Sequence, residues 1–435
     1  MLNAFVQAFR TPDLRRKLLF TLGILGVFRM GSHLPTPGVD YSNVQTCIGQ
    51  VQNSGLYNIV NLFSGGALLQ LSVFALGIMP YITASIIVQL LTVVIPRFEA
   101  LKKEGQSGTA RLTQYTRYLT IGLAILQSTG LIALARQPGQ LFGSGCTADI
   151  IYTKIGIFGI LVMIVTMTAG TSVIMWLGEL ITDRGVGNGM SLLIFTSIAA
   201  GFPTSLWQIK IERGYGLFFF IIAIGLVIVA FVVFVEQAQR RIPVQYAKRM
   251  IGRRMYGGSS TYIPLKVNQA GVIPVIFASS LLYLPALAVN LTDRNNPPGW
   301  ATWVQTYLVK GDHPIYMLLY FGLIVFFTYF YVAITFNPTE VSDNMKKYGG
   351  FIPGIRAGRP TAEYLDYVLS RITAVGALYL GMIALIPLIA LGLFHANSNF
   401  PFGGTAILII VGVGLETVKQ IESQLQQRNY EGFLR

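Results

Sequence analysis

Side chains that could bind a metal or act in catalysis are few in this chain and widely spaced. The three histidines, His33, His313 and His395, lie far apart, near the ends of apolar segments. No HExxH, CxxC or paired-histidine spacing occurs, so the sequence predicts no metal site and no cofactor. The run 185–189 (GVGNG) resembles a nucleotide-binding loop, but it lacks the P-loop lysine. We interpret it as a tight turn between helices, and we expect that the protein is not an enzyme.

The acidic residues argue against an ion-coupled site. Ion-coupled transporters usually place acidic side chains within their membrane spans. Here no Asp or Glu lies near the centre of an apolar segment, and Glu179, Glu236 and Glu416 lie at segment ends. Arg29 falls within the first apolar segment, where we expect it to face the other helices and pair with backbone carbonyls. The pattern therefore disfavours proton or sodium coupling and intramembrane catalysis.

The composition is typical of a polytopic membrane protein. Only 11% of the 435 residues are charged and 53% are hydrophobic, whereas soluble domains carry roughly a quarter charged residues. A membrane-spanning helix needs ~20 predominantly apolar residues. Ten segments approach that length: about 18–34, 69–95, 119–135, 155–177, 190–206, 217–235, 271–291, 315–336, 372–394 and 403–418. We therefore predict an all-α polytopic membrane protein with ten transmembrane helices.

The cations are distributed unevenly between the two sides of the predicted membrane. Lys and Arg number 32 against 18 Asp and Glu, which gives a net charge of +14. Most of these cations lie in the two tails and in the loops that share their side. The positive-inside rule assigns that side to the cytoplasm, so both termini are predicted to be cytoplasmic. Pro35-Thr36-Pro37-Gly38 stands where a signal peptide would have small residues, so we expect the first segment to be retained.

The ten segments divide into an N-terminal half, 1–206, and a C-terminal half, 207–435, with an external hinge at 207–216. Five spans per half force opposite orientations, so any structural repeat is inverted. Leu56–Leu69 is apolar, too short to span, and broken at Ser64-Gly65-Gly66. A half-helix that re-enters the protein from outside fits this pattern. An interfacial helix on the outer leaflet is the alternative.

Two predicted cytoplasmic loops, 240–266 and 337–366, are large and basic. Both combine Gly/Pro turns, β-branched residues and aromatic residues among the cations. This mixture favours a hairpin projecting from the membrane and a docking surface for a nucleic-acid backbone or an acidic protein face. The alternative is that the cations serve only topology and contact with anionic lipid.

The two cysteines, Cys47 and Cys146, both fall in predicted external loops. The outer compartment permits disulfides, so we hypothesise a Cys47–Cys146 bridge, with two free thiols as the alternative. A Cα separation beyond ~7 Å would exclude the bridge.

Sequence motifs in nearly the whole chain carry a family resemblance. They include FSGGALLQLSVFALGIMPYITASIIVQLL, ITDRGVGNGMS, RRIPVQYAKR, YIPLKVNQAGVIPVIFASS and YGGFIPGIRAGRPT. Shorter matches are KKEGQSG, QYTRY, FNP and YEGF. With these motifs in this order, the chain resembles the SecY family, the central subunits of the bacterial protein-conducting channel. The resemblance implies ten helices in two inverted halves that open sideways to lipid.

The resemblance also implies a plug and a constriction. The plug, at about 57–68, is the segment with re-entrant character; its residues are Tyr57, Asn58, Ile59, Val60, Asn61, Leu62, Phe63, Ser64, Gly65 and Gly66. By motif position, the aliphatic pore ring consists of Ile78, Ile82, Met190, Ile194, Ile276 and Ile409. Family members often have a β-branched residue where Met190 stands, which makes Met190 the outlier of the ring. From spacing alone, these residues would read as ordinary bundle core.

The same resemblance implies a lateral gate between spans two and three on one side and seven and eight on the other, with Thr83 and Leu284 at gate positions. It implies docking of the ribosome and the SecA motor on the basic loops, at Lys248, Arg249, Arg253, Arg254 and Arg356. Further implied partners are SecE, SecG, SecDF-type accessory subunits, anionic lipids and unfolded preproteins.

The implied function is passage of unfolded secretory polypeptides across the bacterial cytoplasmic membrane, with lateral release of apolar segments into lipid. A secondary transporter with inverted repeats is the alternative, although the acid-free span centres speak against it.

Overall fold

The structure is a computed structural model. It describes residues 9–50, 66–68, 70–136, 146, 148–152, 156–246, 249–251, 254–256, 260–290, 298–309, 313–394 and 404–431.

The first part of the chain is helical throughout its longer elements. Its helices are α1 Pro12–His33, α2 Tyr41–Gln50, α3 Met79–Val94, α4 Pro96–Lys103, α5 Gln106–Ala135, α6 Ile157–Arg184 and α7 Gly189–Gln237. Prolines at the first turns of α1, α3 and α4 suit helix starts, where no backbone N–H bond is lost. Asn188 caps α7 by accepting the backbone N–H groups of Met190 and Ser191.

The second part combines strands with long helices. The strands are β1 Gln239–Tyr246, β2 Arg249–Ile251, β3 Arg254–Tyr256, β4 Ser260–Lys266 and β5 Gly350–Phe351. The helices are α8 Ile273–Asn290, α9 Gly299–Val304, α10 Pro314–Thr335, α11 Pro338–Lys347, α12 Arg359–Phe394 and α13 Gly404–Glu431. One π-helical turn, Gln305–Val309, follows α9.

Each of the ten predicted apolar segments overlaps a helix, but fewer helices pass a strict test of length and hydropathy. In the described part of the chain, five helical stretches pass alone: Gln106–Ala135, Ile157–Arg184, Gly214–Gln237, Pro314–Lys347 and Arg359–Ile386. The bent pair of α3 and α4, with 100° between them, makes a sixth. The second predicted segment, 69–95, is helical only from Met79, because turns occupy 70–78.

The predicted hinge at 207–216 differs from the backbone that is observed. The helical assignment runs through this stretch as part of α7, and only Gly214, with φ 80° and ψ 177°, departs from helical geometry. Because a positive φ is accessible to glycine at little cost, Gly214 concentrates the break at a single residue. The break therefore falls within the predicted hinge, while the rest of that range is helical.

The predicted hairpin in the first basic loop is present. Strands β1 and β4 pair antiparallel from Gln239↔Lys266 to Gln245↔Ser260. Strands β2 and β3 form a second short antiparallel pair between them in sequence. β1 also pairs with β5, through Gln245↔Phe351 and Tyr246↔Gly350. Since β5 comes from the second basic loop, the two loops form one three-stranded sheet, which we call the basic sheet.

Candidate functional site

The six predicted ring residues come from four helices and the turn before α3. Ile78 precedes α3, Ile82 lies on it, and Met190 and Ile194 lie in the first turns of α7. Ile276 is in the first turn of α8, and Ile409 lies on α13.

All six belong to one apolar cluster. Ile78, Ile194, Ile276 and Ile409 are buried in it, while Ile82 and Met190 are partly buried and pack against it. The structure therefore brings together residues that are up to 331 positions apart in sequence.

Met190 differs from the other members in what its side chain contacts. A Cβ added to Gly178 of α6 would lie 2.4 Å from the Met190 Sδ atom. A Cβ on Gly189 would lie 1.9 Å from the carbonyl oxygen of Gly178. The start of α7 thus approaches α6 closely because both positions are glycine, and the thioether of Met190 packs against α6.

The ring residues of this cluster have side chains suited to excluding water and ions. The six ring residues are isoleucines and one methionine, whose side chains carry no charge and no strong hydrogen-bonding group. A narrow aliphatic constriction hinders water and ions by dewetting. It also holds no particular peptide sequence, since it offers no polar group that could prefer one over another.

The segment between the predicted plug and α3 is fixed on α1. Plug residues 57–65 lie outside the described residues, and Gly66 is in a turn with φ 89°. Beyond it, the N–H of Thr36 donates to Leu71 O at 3.1 Å, and the N–H of Val73 donates to Leu34 O at 2.8 Å. Leu71 is fully buried and has a backbone φ of 46°, a conformation that residues other than glycine rarely adopt.

An aromatic contact completes this attachment. The Phe28 and Phe74 rings stack with centroids 6.0 Å apart. A Cβ on Gly31 would lie 2.2 Å from the Phe74 ring, so glycine is required for this approach.

The predicted gate residues lie on two helices that meet. Thr83 lies on α3, where its hydroxyl donates to Met79 O at 3.0 Å. Leu284 lies on α8, and its side chain is outside what the structure describes. Ile86 of α3 belongs to the same buried cluster as Phe277 of α8 and Phe327 of α10, whose rings meet edge to face. Helix α3 therefore packs against α8 and α10 through apolar side chains.

The docking residues that the structure describes lie on the short β2–β3 pair and in the segment that follows β5. Arg249 and Arg254 lie on β2 and β3, while Lys248 and Arg253 lie outside the described residues. Arg356 follows β5 in a turn region, and its backbone carbonyl accepts a hydrogen bond from the Thr361 hydroxyl at 2.9 Å. Because β5 pairs with β1, this turn lies beside the hairpin.

The two cysteines are joined by a disulfide, with Cα atoms 5.3 Å apart. The bridge links α2 to the stretch before α6. Nearby, the Asn43 amide donates to Asp149 O at 2.9 Å, and the Asp40 N–H donates to Ile150 O at 2.8 Å.

Asp40 caps the start of α2. Its Oδ1 accepts the hydroxyl and the backbone N–H of Ser42, at 2.8 and 3.1 Å. The Ser42 hydroxyl hydrogen bond, followed by backbone N–H bonds, lowers the pKa of Asp40 below its ordinary value.

Two polar contacts between distant parts of the chain were not predicted from the sequence. Arg117 of α5 forms a bidentate ion pair with Glu179 of α6, at 2.9 and 2.7 Å. Glu236 accepts the side-chain amide of Asn268 at 2.5 Å. The only sequence signal for these contacts was that Glu179 and Glu236 lie at the ends of apolar segments. Their partners could not be identified from the sequence, because they are 62 and 32 residues away and belong to other elements.

The chain is similar to known proteins over its full length. The SecY family matches residues 72–418. The protein translocase subunit SecY of Streptomyces coelicolor is 71% identical over 441 residues, and that of Mycobacterium tuberculosis is 60% identical over 444 residues. Both alignments cover 100% of each chain.

Solved structures share the fold. One, described as the structure of a protein conducting channel, has a TM-score of 0.64 at 18% identity and covers 94% of this chain and 91% of its own. Another, Sec61 in the canine ribosome-channel complex, has a TM-score of 0.60 at 19% identity, with the same coverage. At these identities the likeness shows the fold, which confirms the predicted all-α polytopic class.

Proposed function

The chain belongs to the SecY family, and from this premise we propose that its apolar cluster is the constriction through which polypeptides pass. The chain is a subunit of a protein-conducting translocation channel, and it shares the fold of solved channel structures. It is a multi-pass membrane protein and not an enzyme. The comparisons give no support to a secondary transporter.

One observation carries the assignment of the constriction: all six ring positions pack into one apolar cluster. An aliphatic ring excludes water when it is empty and grips no sequence when it is filled. Both properties suit an unfolded chain of arbitrary composition, whereas a solute transporter needs polar groups that recognise its substrate.

A cross-linking experiment tests this assignment. A photoreactive residue replaces Ile276 or Ile409, and a preprotein is arrested during translocation in proteoliposomes. Leu318 of α10, 76% exposed on the apolar surface, is the matched control position. We expect cross-links to the preprotein from Ile276 and Ile409 but not from Leu318. Cross-links from Leu318 alone would contradict the constriction.

The plug and the gate follow from the same premise. The segment 57–66 is proposed to close the outer side of the constriction. The attachment of 70–78 to α1 supports this, since it gives the proposed plug a fixed end. Thr83 and Leu284 are proposed to face each other across the gate through which apolar segments reach lipid. The packing of α3 against α8 supports that assignment.

The two basic loops that form the basic sheet are proposed to dock the ribosome and the SecA motor, at Lys248, Arg249, Arg253, Arg254 and Arg356. Support comes from the joining of two cation-rich loops into one sheet. Electrostatic attraction to anionic partners concentrates them at such a surface. SecE, SecG and SecDF-type subunits are proposed as membrane partners, and anionic lipids as contacts of the remaining basic residues.

The proposed location is the bacterial cytoplasmic membrane, with both termini and the basic sheet in the cytoplasm. The proposed halves are residues 1–206 and 207–435. The cross-linked loops around Cys47 and Cys146 support the orientation, because disulfides persist on the oxidising side of that membrane.

A further inference from the structure

The basic sheet is attached to the membrane helices by polar contacts at its base. The backbone N–H of Val267 donates to Ala238 O at 3.0 Å, one step beyond the β1–β4 ladder. The side-chain amide of Asn268 then donates to a carboxylate oxygen of Glu236 at 2.5 Å. Glu236 is the last residue but one of α7, and Asn268 precedes α8 by five positions. These contacts therefore join the end of α7 to the segment that enters α8.

Asn268 is almost completely buried, with 3% of its surface exposed. Its amide also donates to Gly271 O at 3.1 Å, across the turn that begins α8. Its Oδ1 atom has no hydrogen-bond partner among the described residues. Burying an amide in this way is unfavourable unless its hydrogen bonds compensate. The two bonds donated by Asn268 thus fix the direction in which β4 runs into α8.

Two other helices restrain the same segment. A Cβ on Gly376 of α12 would lie 2.5 Å from Val267 O, and a Cβ on Gly412 of α13 would lie 3.0 Å from the Val272 side chain. The segment 267–272 therefore has little freedom to absorb a movement of the hairpin.

We propose that Glu236 and Asn268 are positioning residues that couple the basic sheet to α8, so that a partner docked on the sheet moves α8 and opens the lateral gate. This inference rests on the proposed function, which assigns docking to the sheet and one side of the gate to α8. The seven paired positions of β1 and β4 make the hairpin tilt as one body. The Glu236–Asn268 hydrogen bond transfers that tilt to α8, because bending at 267–268 would break a buried bond.

The test measures gate movement on docking, using the channel with its small subunits in nanodiscs. Fluorophores on Thr83→Cys and Leu284→Cys report the gate distance. The two natural cysteines are joined in the disulfide, so labelling is specific. SecA with a non-hydrolysable ATP analogue is the docking probe. We expect Glu236→Ala and Asn268→Leu each to reduce, by about tenfold, the fraction of channels whose gate distance changes when SecA binds. SecA affinity and the resting gate distance are expected to stay unchanged.

Two further variants sharpen the result. Glu236→Gln keeps an oxygen that accepts from Asn268, so it is expected to restore most of the response. Glu363→Ala removes a carboxylate whose pair with Arg359 is exposed, and it is expected to respond like the parent.

Three outcomes would count against the coupling or its premise. A full response in both Glu236→Ala and Asn268→Leu overturns the coupling. A loss of SecA affinity that accounts for the lost response also overturns it, since the residues would then only shape the docking surface. If the parent binds SecA but shows no gate response, the proposed function fails instead.

Discussion

At the scale of single residues, the constriction depends on side chains whose only property is that they are apolar and close together. Ile276 is 8% exposed and belongs to the cluster that holds the other ring positions. Ile324, equally aliphatic and fully buried, belongs to a different cluster, which includes residues of α8, α10 and α12. The two positions therefore separate an effect on the seal from an effect on packing in general.

Replacing Ile276 with Ser is expected to make the resting channel leak ions. A hydroxyl at the narrowest point favours wetting of the constriction, and the smaller side chain widens it. Planar-bilayer conductance of the purified channel measures this directly. Ile324→Ser is the control and is expected to conduct no more than the parent. Equal conductance of Ile276→Ser and the parent would remove Ile276 from the ring.

Charge reversal at Arg356 is expected to reduce translocation several-fold while leaving membrane insertion and protein level intact. Arg356 lies in the turn beside the basic sheet, where a negative charge would repel an anionic partner surface. Export of a secreted reporter measures the effect. Lys103→Glu is the matched control, because Lys103 is an exposed cation at the end of α4, outside the basic loops. Unchanged export in Arg356→Glu would contradict the docking role.

At the scale of secondary-structure elements, sequence patterns predicted the helices well and their connections less well. Every apolar segment overlaps a helix, because the length of an apolar run by itself distinguishes a membrane-spanning helix from a barrel strand. The start of α3 was predicted ten residues too early, because hydropathy cannot separate the buried turns at 70–78 from helix. The pairing of β1 with β5 was not predicted, since two residues of strand in a distant loop carry no periodic signal.

Helix α2 gives a prediction that depends on pH. Asp40, which caps this helix, has a pKa held below its ordinary value of 3.8 by the Ser42 hydroxyl. A carboxyl with a lowered pKa in the folded state contributes stability above its unfolded pKa and loses it as pH falls through the folded value. Hydrogen-exchange protection of the α2 amides is therefore expected to persist from pH 7 to about 4 and to decline in stronger acid.

Asp40→Asn provides the comparison for this decline. Its amide oxygen still accepts a cap hydrogen bond but does not titrate in this range. We expect the α2 amides of Asp40→Asn to show lower protection than the parent at pH 7 and no added loss in acid. A parent whose protection does not change below pH 4 would contradict the role of the cap.

At the scale of the whole molecule, the candidate site could be assembled only through family resemblance. Spacing alone made the six ring residues look like ordinary core, because they come from separate helices and have no common period. The ion pair of Arg117 with Glu179 was missed for the same reason: only the fold shows that α5 and α6 face each other there. The positions of the helices, by contrast, followed from hydropathy, which is a property of the chain and not of its packing.

A cross-link across the proposed gate tests the molecule as a moving assembly. Thr83→Cys combined with Leu284→Cys is expected to stop preprotein translocation on oxidation and to permit it again after reduction. The physical reason is that a bond between α3 and α8 prevents the halves from separating. The parent, which carries only the Cys47–Cys146 bridge, is the control for both treatments. Normal translocation by the oxidised variant would show that these positions do not close the gate.

The disulfide also constrains when this protein can mature. Cys47 and Cys146 are 99 residues apart, and the chain between them includes α3 and α5. The bond can form only after both flanking loops have reached the same compartment, so it cannot precede insertion of those helices. In a pulse-labelled chain, the time at which this disulfide appears would therefore measure how soon the first third of a newly synthesised channel has inserted into the membrane.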